Sequence, residues 1–197
     1  MKDIWLITGG GRSGKSDYAE QLASEKSAAE SVMGPGGKPG VLYIATGVAT
    51  DDEMAERIAH HRASRPETWV TWERYRDIAD IKQKFNPDTF GTILLDCVGN
   101  LLMGILYEEI PDTDGFTSAQ FENVEVMSIL ELDALCAYAA GHEKRLIIVT
   151  NEIGMGVIPE TRYSRYYRDA LGRINKHAAQ AADRVVLMVA GIPVTLK

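Results

Sequence analysis

The sequence predicts an α/β fold of three layers, a mainly parallel sheet with helices on both faces, and three observations predict it. Short aliphatic and β-branched runs at 4–8, 41–46, 91–96, 146–151 and 185–190 alternate with segments of helical character, the pattern of successive β-α-β units. The stretches 93–95 and 146–149 are apolar without alternation, so those strands are expected to be buried on both faces, which requires helices on each side. A glycine-rich segment ending in Lys15-Ser16 stands between the first strand and the first helix. With 197 residues and 45% hydrophobic content the chain suffices for one sizeable core, and residues 1–197 read as one domain.

In chain order, the strand at 4–8 leads into Gly9-Gly10-Gly11-Arg12-Ser13-Gly14-Lys15-Ser16, which opens a helix with apolar positions Tyr18, Ala19 and Leu22. Residues 27–40 turn to Ser, Ala, Gly and Pro, a composition with little to bury, and are expected to form a flexible surface insertion. After the strand at 41–46, Thr50-Asp51-Asp52-Glu53 has capping-box spacing and starts a helix. Met54, Ala55, Ile58 and Arg62 share one side of it, with Glu53, Arg57, His60 and Ser64 as an adjoining polar stripe. The strand at 91–96 precedes an apolar run at 101–106, a polar stretch at 108–118 and a long helix reaching about residue 140. After the strands at 146–151 and 185–190, residues 190–196 read as a turn and a final edge strand, because Pro193 cannot donate to a central ladder; an antiparallel course is expected.

Composition narrows the partners. Lys and Arg number 21 against 28 Asp and Glu, a net charge of −7 that repels nucleic acid and anionic membranes. No apolar run approaches the ~20 residues of a membrane span. The chain enters its first strand after Met1, Lys2 and Asp3, with no secretory pattern, and Cys97 and Cys136 have neither zinc-ligand spacing nor a disulfide framework. A reducing cytoplasm is the expected compartment.

Residues 9–16 satisfy GxxxxGK[ST] in the strand-to-helix setting that this motif requires. Backbone N–H groups of such a loop, with the helix N-terminus behind them, bind phosphate oxygens of a nucleoside triphosphate. Lys15 is positioned for the β and γ phosphates, and the Ser16 hydroxyl is a candidate Mg²⁺ ligand. Asp96, closing the strand at 91–96, is the second candidate metal ligand, although an acid after a strand also serves as a turn residue. Asn151 and Glu152 follow another buried strand at the edge where open α/β sheets bind ligands, and a structural turn explains them equally well. His60 and His61 lie about 100° apart on their helix. His60, on the polar stripe, is the candidate nucleophile, since an imidazole with a pKa near 6.5 needs little activation at neutral pH. A packed or solvent-facing histidine is the alternative reading. No kinase general base is evident.

Taken together, Thr8 through Ser16, Tyr43-Ile44-Ala45-Thr46, Asp52-Glu53-Met54, Arg57-Ile58-Ala59-His60-His61, Arg65-Pro66, Trp69, Thr71, Glu73, Leu95-Asp96-Cys97, Asn151-Glu152-Ile153-Gly154-Met155-Gly156, Val157-Ile158-Pro159-Glu160, Arg168-Asp169 and Gly172-Arg173-Ile174-Asn175 resemble the bifunctional adenosylcobinamide kinase/adenosylcobinamide-phosphate guanylyltransferase family over nearly the whole chain. The resemblance implies phosphorylation of the aminopropanol hydroxyl of adenosylcobinamide by ATP or GTP, then attachment of GMP from GTP to that phosphate, with Mg²⁺. It implies a GMP-histidine intermediate on His60. It implies nucleotide contacts at Gly9, Gly10, Gly11, Arg12, Ser13, Gly14, Lys15, Ser16, Ala45, Thr46, Gly47, Arg62, Ala63, Ser64, Arg65, Glu73 and Asp96, and metal contacts at Ser16 and Asp96. A RecA-like P-loop sheet and a homotrimer are also implied. Departures are Gly11 where the family commonly has Ala, the 27–40 stretch, the lack of a Thr after Cys97, and Lys176 in place of the usual Gln after Asn175. Arg162, Arg165, Arg168 and Arg173 read either as a site for substrate phosphate or, as a charge run on a helix more often is, as a solvated face. Two rival functions are a kinase for another small alcohol and a nucleotide-dependent switch protein.

Overall fold

A computed structural model describes residues 2–29, 40–48, 52, 56, 62 and 65–197. Seven strands form one sheet: β1 (Ile4–Gly9), β2 (Val41–Ala45), β3 (Val70–Glu73), β4 (Thr92–Asp96), β5 (Arg145–Val149), β6 (Arg184–Val189) and β7 (Ile192–Thr195). Their order is β3-β2-β4-β5-β1-β6-β7, with β1 to β6 parallel and β7 antiparallel to β6, so the expected antiparallel edge strand is present. Ala190 and Gly191 make the tight β6–β7 turn, both with positive φ (50° and 82°), the backbone that a two-residue hairpin of matching twist demands.

The helices divide between the faces. On one side α1 (Lys15–Ala29) packs Ala19, Leu22 and Ala23 against Ile7, Val41, Tyr43, Ala45, Leu94, Ile147 and Val149. On the other, α3 (Val98–Glu109), α4 (Ser118–Gly141) and α5 (Arg162–Ala181) cover Ile4, Leu6, Leu42, Ile44, Ile93, Leu95, Leu146 and Ile148, with the single turn α2 (Ile81–Lys84) also packed there. The strand residues alternate between the two cores, as the period of two requires. Every residue of β2 is buried, which is why such strands read as unbroken apolar runs. Truncating Leu94 or Ile147, each essentially inaccessible, would cost about 2–5 kcal/mol.

Local signals fix the helix ends. Val98, Leu101, Leu102, Ile105 and Leu106 give α3 one continuous apolar stripe. Thr117 caps α4 in a reciprocal box: Gln120 N–H donates to Thr117 Oγ1 at 3.3 Å, and the Thr117 N–H donates to Gln120 Oε1 at 2.8 Å. Lys197 Nζ donates to the carbonyls of Ala179 and Ala182 at the end of α5, a cation placed at the negative pole of the helix. The backbone of α1 continues to Ala29, three residues into the stretch expected to be an insertion; 30–39 lie outside the described residues.

Candidate active site

Parallel strands deliver their C-terminal ends to one edge of the sheet, and register aligns the candidate residues along it. Glu73 of β3 pairs with Ala45 of β2, Ala45 with Asp96 of β4, and Asp96 with Val149 of β5. Three of the sequence candidates thus form a row beside the loop that leaves β1 after Gly9.

In that loop Gly9 (φ 154°) has no room for a side chain: a Cβ would lie 2.6 Å from the Met188 carbonyl oxygen and 2.7 Å from Ser13 Oγ. Gly14 adopts φ 86°, and Arg12, with φ 56°, takes a left-handed conformation unusual for a residue with a Cβ. Around Gly10 and Gly11 there is open space, so the Gly11 departure is sterically neutral. Lys15 is only 7% exposed and folds back over the loop, its Nζ donating to the Gly10 carbonyl at 2.6 Å. Ser13 Oγ is buried without a hydrogen-bond partner, and α1 begins immediately with Tyr18 N–H donating to the Gly14 carbonyl. The loop is buttressed from two sides: Glu152 N–H donates to the Gly9 carbonyl at 2.9 Å, and Gly191 N–H to the Ser13 carbonyl at 3.0 Å.

The β2 and β4 ends are locked together. Thr46, fully buried, donates its hydroxyl to the Cys97 carbonyl at 2.7 Å and accepts the Cys97 N–H at 2.8 Å, while its own N–H donates to the Asp96 carbonyl. The Asp96–Cys97 peptide is cis. Tyr43 Oη donates to Asp96 Oδ2 at 2.7 Å, and the Arg65 guanidinium lies over the Tyr43 ring, 3.8 Å from its centroid. Burial first, then the Asp96 charge, pushes the Tyr43 pKa upward, so its hydroxyl remains a donor. Among the described residues, the buried Arg65 Nε and Nη1 have no hydrogen-bond partner. Arg62 is ion-paired with Glu73 at the exposed rim, and Gly47 sits half-buried beyond Thr46. His60, Ala63 and Ser64 lie outside the described residues, whereas Asp52, Glu56 and Arg62 have helical backbone and face solvent.

Glu20, one turn beyond Ser16 on α1, also faces this corner. Desolvation, then the charges of Asp96 and Asp17, raise its pKa to about 7 against the opposing pull of Arg65. Among the described residues no three His, Cys, Asp or Glu side chains form a metal cage. The hydroxyl of Ser16 and the carboxylate of Asp96 nevertheless fit a hard cation that takes its remaining ligands from phosphates and water. The Arg65 nitrogens, without a hydrogen-bond partner among the described residues, fit an anionic ligand.

Residues 5–196 match the family described as cobinamide kinase / cobinamide phosphate guanyltransferase. The chain belongs to that family. It is 39% identical over 193 residues to the bifunctional adenosylcobalamin biosynthesis protein CobU of Escherichia coli (strain K12), covering 98% of each chain. It is 38% identical over 195 residues to the protein of the same name from Salmonella typhimurium (strain LT2), again 98% of each. It is 36% identical over 198 residues, 100% of this chain and 98% of the relative, to the bifunctional adenosylcobalamin biosynthesis protein CobP of Pseudomonas aeruginosa (strain PAO1).

Within this family frame, the departures and the loop after β5 acquire structural meanings. Asn175 bridges the loop base: it accepts from Thr150 Oγ1 at 2.6 Å and donates to the Asn151 carbonyl at 3.0 Å. The departing Lys176 points to solvent instead. The arginines of α5 lie on a partly solvated face, with Arg162 and Arg173 exposed, and each also has a partner. Arg162 lies over Phe116 and donates to its carbonyl, and Arg165 donates to the Pro159 and Glu160 carbonyls. Arg168 pairs with Asp169, and Arg173 with Glu125. The helix supplies the cations and the neighbouring loop and α4 supply acceptors that sequence spacing does not reveal. Two site residues were missing from the sequence candidates: Tyr43, though inside a quoted motif, and Glu20, whose one signal is its i+4 spacing from Ser16.

Proposed function

We propose that this chain phosphorylates the aminopropanol hydroxyl of adenosylcobinamide with ATP or GTP and then converts the product to adenosylcobinamide-GDP. In the first reaction the hydroxyl oxygen attacks the γ-phosphorus, the nucleoside diphosphate leaves and the hydroxyl proton is released. In the second, His60 attacks the α-phosphorus of GTP and expels pyrophosphate; the corrinoid phosphate then displaces the imidazole and takes GMP. The observation that carries the reading is the family match, which spans 5–196 and so includes both the 9–16 cradle and the histidine segment.

In this reading residues 9–16 bind the triphosphate through backbone N–H groups, and Lys15 stabilises charge on the transferred or departing phosphates. Ala45, Thr46 and Gly47, together with Arg62, Ala63, Ser64 and Arg65, line the nucleotide, with Glu73 and Asp96 at the strand ends. Mg²⁺ would be held by Ser16 and Asp96, supplying charge neutralisation of the phosphates. The orphaned nitrogens of Arg65 support its role as a phosphate partner. A homotrimer in the cytoplasm completes the proposal. The exposed apolar side chains of Met155 (81%), Val157 (93%) and Ile158 (67%) form a surface suited to coverage by another subunit, whatever the number of subunits. No helix among the described residues is long and apolar enough to cross a membrane.

The test is covalent labelling with GTP carrying label on the α-phosphate. Acid-labile label on the protein, lost in His60→Ala, is expected, along with phosphorylated and GDP-linked corrinoid by mass spectrometry. Label that persists in His60→Ala sinks the nucleophile assignment. Nucleotide binding with no corrinoid product would favour a switch protein, and a phosphorylated corrinoid alone would leave a monofunctional kinase.

A further inference from the structure

Tyr43 belongs to no functional group described so far, yet it touches two. Strand register explains how. Asp96 lies opposite Ala45, and Tyr43 precedes Ala45 by two residues, so Tyr43 and Asp96 are diagonal neighbours on the same face of the sheet. A tyrosine spans that diagonal, and its Oη meets Asp96 Oδ2 at 2.7 Å. Its ring is 1% exposed, wedged among the β2, β4 and α1 side chains, so the hydroxyl has little freedom to leave. The ring face that remains carries the Arg65 guanidinium, whose Nε and Nη1 have no hydrogen-bond partner among the described residues.

We propose that Tyr43 is a positioning residue with two separable jobs: its hydroxyl holds Asp96 in the orientation that receives a divalent cation, and its ring holds Arg65 ready for a nucleotide phosphate. With Oδ2 accepting from Tyr43, Oδ1 would be the freer oxygen for a cation. A guanidinium stacked on a buried aromatic keeps its in-plane N–H groups available for an anion, which a salt bridge at the same place would consume. Any buried tyrosine needs a partner for its hydroxyl, but one chosen only for packing needs neither a candidate metal-binding carboxylate as that partner nor a cation on its ring face. The proposal rests on the nucleotide and metal reading above, and the tests separate failure of the two.

Direct binding of Mn²⁺ to the GTP complex by electron paramagnetic resonance, and binding of GTP in excess chelator by calorimetry, are measured for the whole chain and its variants. Asp96→Asn is the reference: if it leaves Mn²⁺ affinity unchanged, the metal reading itself is wrong. If Asp96→Asn weakens Mn²⁺, Tyr43→Phe should weaken it about tenfold, the scale of one hydrogen bond to a charged group, while chelator-phase GTP binding stays within about twofold. Tyr43→Phe should add nothing to the loss of Mn²⁺ affinity in the Asp96→Asn background, because the carboxylate that the hydroxyl orients is already gone. Tyr43→Leu removes the ring and should weaken metal-free GTP binding as much as Arg65→Gln does. Unchanged Mn²⁺ affinity in Tyr43→Phe overturns the first job, and wild-type metal-free GTP binding in Tyr43→Leu overturns the second. A purely structural Tyr43 would instead lower Tm in both variants with no split between the two binding measurements.

Discussion

Glu152 donates its backbone N–H to the carbonyl of Gly9 at 2.9 Å, so the loop following β5 is fastened directly to the first residue of the phosphate cradle. The fastening depends in turn on Asn175, which holds both Thr150 and the Asn151 carbonyl from α5. Asn175→Ala leaves those groups without partners and is expected to lower stability by about 1–3 kcal/mol. It should weaken nucleotide binding as well, because the cradle loses its brace. The neighbouring Lys176→Gln, on the solvent side, is expected to stay within about 0.5 kcal/mol of the parent. Urea denaturation and nucleotide titration of the two variants check this.

The two ends of the motif respond differently to added methyl groups. Gly9→Ala places a Cβ against the Met188 carbonyl and Ser13 Oγ in a backbone region that disfavours it, with an expected loss of about 1–3 kcal/mol. Gly11→Ala meets open space and is expected to leave both stability and activity near the parent values. Equal losses in the two variants would contradict the cradle's packing.

Lys15 is buried over the loop and donates to the Gly10 carbonyl, so its charge is already aimed where phosphates are expected to lie. Lys15→Met keeps most of the aliphatic volume and removes the ammonium. Both kinase and guanylyltransferase turnover should fall by about 100-fold or more, the scale for loss of one preorganised electrostatic group. Retention of either activity would show that the two reactions do not share this cradle. Steady-state assays of both steps decide it.

Glu20 gives a pH signature. Its folded-state pKa of about 7 lies above the ordinary 4.5, so the native protein holds a proton that the unfolded chain releases. Unfolding stability must therefore fall as pH rises from about 4.5 to about 7 and level off above. Glu20→Gln removes this slope: relative to the parent, the variant should gain stability as pH rises from about 4.5 to about 7, with no further gain above. Thermal melts of nucleotide-free protein across that range are the measurement, and parallel Tm profiles would exclude the raised pKa.

The strands buried on both faces were legible because the sheet leaves them no polar side. β7 announced itself through Gly191 and Pro193. β3 did not: only Trp72 of its four residues is buried, and Thr71 and Glu73 face solvent, so an outer strand reads like a loop. The cradle was legible because its atoms are contiguous in sequence. Tyr43 and Glu20 were not, since what makes them part of the site is the β2–β4 register and the packing of α1, which bring residues from three elements to one carboxylate. The partners of three α5 arginines were hidden for the same reason: a charge is visible in sequence, but the group that Arg162, Arg165 or Arg173 meets belongs to another element.

The Gly191 N–H that supports the Ser13 carbonyl lies on the tip of the β6–β7 hairpin, far from the motif in the chain. The motif is contiguous in sequence, yet part of the support for its backbone comes from the hairpin that closes one edge of the sheet, so the shape of the cradle belongs to the folded sheet and not to residues 9–16 alone.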